Sequence, residues 1–125
     1  MANKKSLVQT SAQHQLVVCD LSFPRLQNEL LELETIEFDQ VEETVKKIEK
    51  MTWDQIYKTS SKTQKRGLNW EIIEKQMTRS GKKIASIRIS KKFRARVCRD
   101  GQQMRFISLH PDHDSAYEEG GGENL

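Results

Sequence analysis

The stretch HPDHDSAY, from His110 to Tyr117, gathers two histidines, two aspartates and a tyrosine within eight residues, directly after an apolar run. Three kinds of chemistry are open to it. Histidine and aspartate ligate metals, histidine exchanges a proton near neutral pH, and polar side chains beside a proline satisfy the backbone of a loop that ends a strand. His110, Asp112, His113 and Asp114 are the metal-ligand candidates, but no Cys-x-x-Cys or His-x-x-x-His spacing converges them, and no metal is expected. A second group stands just upstream: Arg88, Arg94, Arg96 and Arg105, with the pair Lys91-Lys92. A planar guanidinium binds phosphate oxygens in pairs, so histidine beside arginine suits acid–base work on a phosphodiester.

The charge distribution points the same way. The net charge of +3 conceals +2 in residues 1–25, −6 in residues 26–57, +12 in residues 58–105 and −5 in residues 106–125. A dozen net positive charges in 48 residues forms an electrostatic footprint for a polyanion if the fold gathers them, and otherwise a solvated basic face balanced by acidic helices. No apolar run reaches the roughly 18 residues a membrane span needs, so a soluble, cytoplasmic protein with no membrane partner is expected. Two cysteines, Cys19 and Cys98, do not make a disulfide framework.

The elements that must position these residues follow from periodicity. Residues 1–13 are polar without period and read as a mobile segment. Residues 14–117 read as a single domain, and 118–125, ending GGGENL, as an expression linker scar. Gln15 to Asp20 reads as a strand. Ser22 as cap and Pro24 in the first turn open a helix to about Glu34, with Leu26, Leu30 and Leu33 on its buried stripe. Asp39 and Glu42 predict the start of a second helix, carrying Val41, Val45 and Ile48. TWDQIYK predicts a helical turn. GLNWEIIEKQM has no clear assignment, although Trp70, Ile73 and Met77 fit one helical face. Trp53, Tyr57 and Trp70 are expected in the core, because they fall in apolar periodic segments.

From Ile84 the period is two, and IASIRIS, FRARVCR and QMRFISLH predict three strands. Asp100-Gly101 predicts a type I′ turn that pairs Val97 with Met104 and Arg96 with Arg105. A three-residue loop, Lys91 to Phe93, pairs Ile87 with Val97 and Arg88 with Arg96. Arg88, Arg96 and Arg105 then form a row across three strands, with Arg94 beside it. Like charges placed opposite one another destabilise a sheet, so the row calls for an anion, or for acids of the chain or of a partner. The expected fold class is α+β: an N-terminal strand and two helices packed on a C-terminal antiparallel β-meander.

SIRISKKFRARVCRDG (Ser86 to Gly101) resembles the strand–turn–strand of the RelE and HigB branches of the RelE/ParE superfamily of bacterial toxins. There an arginine follows an aromatic residue shortly after the turn, as in Phe93-Arg94. GLNWE (Gly67 to Glu71) resembles the segment before the meander in HigB-like members. ISLHPDHDSAY lies where the family carries its last strand and a C-terminal His, Arg or Tyr. The resemblance runs from about Gln15 to Tyr117 and is strongest after Gly67. It implies a RelE-like toxin that cuts messenger RNA on the ribosome without metal or other cofactor, inhibits translation, and is held by a cognate antitoxin.

In the reaction so implied, the RNA 2′-hydroxyl attacks its neighbouring phosphate while a base, an acid and a cation assist. Arg94 takes the cation's role, supported by Arg96 and Arg88. His113 or His110 acts as acid or base, and Tyr117 stacks on a splayed base or orients the nucleophile. Lys91, Lys92 and Arg105 hold flanking phosphates. Asp112 and Asp114 depart from the family pattern, since they repel RNA or raise a nearby histidine's pKa. Two further readings share the fold: a ParE-like toxin that poisons DNA gyrase without acid–base residues, and a non-toxic nucleic-acid-binding domain.

Overall fold

Apolar side chains recur every three to four residues in the first half of the chain and every second residue in the last third, and the elements follow that division. A computed structural model describes residues 15–60 and 67–112. In chain order the elements are β1 (Val18–Asp20), α1 (Pro24–Glu32), α2 (Thr35–Ile48), α3 (Trp53–Lys58), β2 (Glu71–Met77), β3 (Lys83–Arg88), β4 (Arg94–Asp100) and β5 (Gln103–His110). The fold is α+β, with an N-terminal strand and helices followed by a C-terminal antiparallel meander. All five strands form one open sheet in the order β1-β5-β4-β3-β2. β1 lies parallel to β5, and the remaining pairs are antiparallel.

Local chemistry sets the helix boundaries. Pro24 occupies the first turn of α1, where a missing N–H costs nothing. Ser22 is not the cap: its N–H and hydroxyl both donate to the Asp20 carboxylate, at 2.9 and 2.6 Å, and Phe23 takes the cap position. α2 begins at Thr35, a turn earlier than Asp39 predicts, because Glu34 and Glu37 form the reciprocal capping box instead. Val41, Thr44 and Ile48 are its buried face. α3 is capped by Thr52 and Gln55 in the same manner.

The segment left unassigned from sequence is a strand. β2 is the edge of the sheet, and five steps along it, from Ile72 to Met77, match two along β3, from Ala85 to Lys83. Lys75 sits at φ 66° within this irregular stretch. The extra residues stretch the apolar spacing toward three and four, so Trp70, Ile73 and Met77 imitate a helical face.

The core lies between the helices and one face of the sheet. Leu26, Val41, Ile48, Trp53 and Ile56 meet Ala85, Ile87, Ala95, Val97, Phe106 and Leu109. Trp53, Tyr57 and Trp70 pack as a three-ring group with centroids 5.4–5.6 Å apart, in tilted or edge-to-face contact. The Arg99 guanidinium lies 4.7 Å from the Trp53 ring centre and donates to the Tyr57 hydroxyl at 2.8 Å. These aromatics are core, as expected. No helix of the described residues is long and apolar enough to cross a membrane. Phe106 is fully buried whereas Leu31 is 85% exposed. Chemical denaturation should therefore show Phe106→Ala losing about 3–5 kcal/mol, and Leu31→Ala no more than about 0.5 kcal/mol.

Candidate nucleic-acid interface

Two turns and one bulge decide which side chains share the face of the sheet opposite the helices. The β3–β4 connection closes over Ile89 to Phe93, where the N–H groups of Ile89 and Ser90 donate to the Phe93 carbonyl at 2.8 and 3.1 Å. This is wider than the expected three-residue loop. The Phe93 side chain is buried, and Arg94 Nη1 donates to the carbonyls of Ser90 and Lys91 at 2.9 and 3.4 Å, which holds the longer loop closed. Ile87 therefore pairs with Ala95, Ser86 with Arg96, and Arg88 with Arg94. Each pair slides by two residues from the expected register, so every side chain keeps its expected face.

The second turn corrects the type I′ expectation. Its two central residues are Gly101 and Gln102, with positive φ (62°) at Gly101 but not at Gln102, the pattern of a type II′ turn. Asp100 remains in β4, where its carboxylate receives Arg105 at 3.0 Å and Lys82 at 3.4 Å. Asp100 pairs with Gln103 and Cys98 with Arg105.

The register then shifts within the strands. Val97 pairs with Phe106, but Arg96 pairs with Ser108, which leaves Ile107 as an extra residue. Beyond this bulge the phase of β5 is reversed. Ser108 and His110 join the arginine face, and Leu109 turns into the core.

The outer face accordingly carries one row of Arg88, Arg94 and His110, and next to it a row of Ser86, Arg96 and Ser108. A small apolar cluster of Ile84, Cys98 and Ile107 follows. Arg105 is not in the arginine row, contrary to the sequence expectation. It stands opposite Cys98 of the apolar cluster, ion-paired with Asp20 at 3.1 Å and with Asp100. Lys91 and Lys92 are exposed on the β3–β4 turn, as expected of a hairpin tip. His113, Asp114 and Tyr117 lie outside the described residues, and Asp112 is exposed.

The face is more enclosed than the sequence suggests. Ser86, Arg94, Arg96, Ser108 and His110 are all buried. Ser108 Oγ lies 2.8 Å from His110 Nε2. Burial, and then the neighbouring Arg96 and Arg25 guanidinium groups, push the His110 pKa down to about 4. The imidazole is therefore neutral at physiological pH and a weak base. Arg25 is a residue that motif reading missed. Its signal is the i,i+4 pair with Glu29, whose carboxylate takes Arg25 Nε at 3.0 Å and the Leu109 N–H at 2.7 Å, pinning α1 to the end of β5. Ser86 and Ser108 were missed too, because nothing in a lone serine marks its cross-strand partner.

Among the described residues no group of three His, Cys, Asp or Glu side chains could hold a metal ion. Both cysteines are free thiols, and burial raises the pKa of each, that of Cys19 to about 12. What the arrangement offers chemically is a set of guanidinium groups beside one neutral imidazole. No protein-family model matches this chain, and neither does any curated protein or solved structure.

The depressed pKa has a thermodynamic consequence. Unfolded, His110 takes up its proton near pH 6.5; folded, it does so only near pH 4. Between these values the unfolded state binds more protons, so stability falls as pH falls. The loss should reach up to about 3 kcal/mol across that window, and His110→Gln should flatten it. Denaturant midpoints measured from pH 7 downward check this, and a wild-type protein with no slope above pH 4 would contradict it.

Proposed function

We propose that this chain is a RelE/HigB-like toxin of a toxin–antitoxin pair that cuts messenger RNA on the ribosome by metal-independent attack of the 2′-hydroxyl. The observation that carries the reading is the cross-strand row Arg88–Arg94–His110, with the exposed Lys91 and Lys92 on the turn that joins the first two strands. Arg88 and Arg94 stand opposite one another on adjacent strands, and an RNA backbone supplies one phosphate after another to cations gathered in this way. In this scheme Lys91 and Lys92 engage flanking phosphates and Arg88 the phosphate nearest the row. Arg94 orders the turn through its bonds to Ser90 and Lys91 and adds positive charge behind it. His110 is the base of this scheme, working against its lowered pKa, and the acid falls to His113 or Tyr117. A cognate antitoxin would cover the basic turn and the face behind it.

One observation favours a second reading. His110 is buried with its pKa far below neutrality, and Arg94 and Arg96 are buried with it, as in a face that supports shape more than chemistry. This fits a ParE-like toxin that poisons gyrase without acid–base groups.

Induction in a bacterium followed by mapping of messenger RNA 5′ ends separates the two. New 5′ ends that require translating ribosomes are expected. They should drop by at least about tenfold in Lys91→Ala/Lys92→Ala, which changes only exposed side chains and removes two phosphate contacts. Growth arrest with intact messenger RNA and gyrase-dependent DNA breaks would sink the nuclease and select the second reading.

A further inference from the structure

A cleft of about 420 Å³ lies between α2 and the segments Gly67–Leu68 and Arg88–Ile89. Its walls carry two carboxylates, Asp39 and Glu43, two cations, Lys47 and Arg88, and the apolar side chains of Leu68 and Ile89. The cleft is open to solvent, with Ile36, Asp39, Glu43, Lys47 and Gly67 all exposed along it.

None of the ion pairs among the described residues uses Asp39, Glu43, Lys47 or Arg88. Glu43 and Lys47 stand at i,i+4 with the acid first, the favoured orientation for a helix pair, yet they do not close one. Lys47 Nζ instead reaches toward the Gly67 turn, 3.9 Å from where a Cβ would sit on that glycine. The Nε of Arg88 is buried and has no hydrogen-bond acceptor among the described residues. A buried donor with no acceptor is costly where it stands.

The mixture selects a ligand class. Two cations suit a phosphate. A carboxylate accepts two parallel N–H donors, and among RNA bases only guanine presents two adjacent donors, N1–H and N2–H, on its pairing edge. Adenine and cytosine offer one amino group beside a bare acceptor, and uracil one N–H between two carbonyls. Leu68 belongs to the core and closes the floor of the cleft, with Ile89 beside it. A second hollow of about 610 Å³ shares Glu43 and Lys47 with the cleft and adds Lys46 and Lys50. Further phosphates of a single strand have cations to follow there.

We propose that this cleft is a guanine-nucleotide subsite for single-stranded RNA, with the phosphate on Lys47 and Arg88 and the base edge on Asp39 or Glu43. The proposal rests on the reading of the chain as RNA-binding and adds to it a site that chooses the base. Arg88 connects the two, since it lines the cleft and also pairs with Arg94 in the outer row.

Calorimetric titration of the full chain with 5′-GMP and with 5′-UMP tests it without relying on cleavage. GMP should bind more tightly than UMP by roughly tenfold or more, the worth of one bidentate base contact. Asp39→Asn/Glu43→Gln changes two exposed side chains and should erase that preference, with UMP bound at least as tightly as by the wild type because two negative charges near its phosphate are gone. Lys47→Ala should weaken both nucleotides alike. Equal affinities for GMP and UMP in the wild type, or a preference that survives the double amide variant, would overturn the subsite. If the titrations behave as expected while induced cells keep intact messenger RNA, the nuclease reading fails and the subsite stands.

Discussion

A single extra residue in β5 decides what this sheet presents. Up to Phe106 the strand alternates so that Met104 and Phe106 face the helices. After Ile107 the alternation is reversed, so that Leu109 faces them instead and Ser108 and His110 face out. With no bulge, His110 and Ser108 would be driven into the apolar core, and Ile107 and Leu109 would lie against arginines. Burying an imidazole and a hydroxyl among aliphatic side chains without partners costs several kcal/mol, on the order of 2–7 for each polar group. The bulge removes that conflict and, in doing so, creates the Arg88–Arg94–His110 row.

The enclosure of that row then sets its electrostatics. Guanidinium groups on adjacent strands raise the local potential, and burial removes the water that would screen it. The imidazole answers by staying neutral, with Ser108 at its Nε2. α1 is tied to the same spot by Glu29, which bridges Arg25 and the backbone of Leu109. At the other end of the face Arg105 serves a different purpose, clasped by Asp20 and Asp100 and thereby joining β1 to the β4–β5 turn. Chemically similar arginines thus differ in surroundings: Arg94 and Arg96 are buried beside His110, whereas Arg105 is half-exposed between two carboxylates.

Much of the fold was legible because burial imposes a period. The meander, the stripes of α1 and α2 and the short α3 all follow from the spacing of Leu, Ile, Val and Trp. The face of each arginine was legible as well, since errors of two residues in register preserve it. Boundaries were less so. Asp39-x-x-Glu42 and Glu34-x-x-Glu37 are equivalent as text, and the earlier pair caps α2 because the chain is already extended at Glu34 as it leaves α1. β2 was hidden because its irregular stretch gives an edge strand a helix-like spacing.

The site divides along the same line. The sequence by itself determined that arginines would collect on one side of a β-meander, with exposed lysines at a turn, because alternation puts every second residue of FRARVCR on one face. It also held the clue to the bulge, in the adjacent apolar pair Phe106-Ile107 that breaks the alternation. Only the tertiary structure decided which residues stand opposite one another. Asp100 chose its turn by meeting Arg105 and Lys82, Phe93 chose the longer loop by entering the core, and Arg25 arrived beside His110 because a helix packed there. Such pairings join residues far apart in the chain, and their energies depend on burial that no local pattern records.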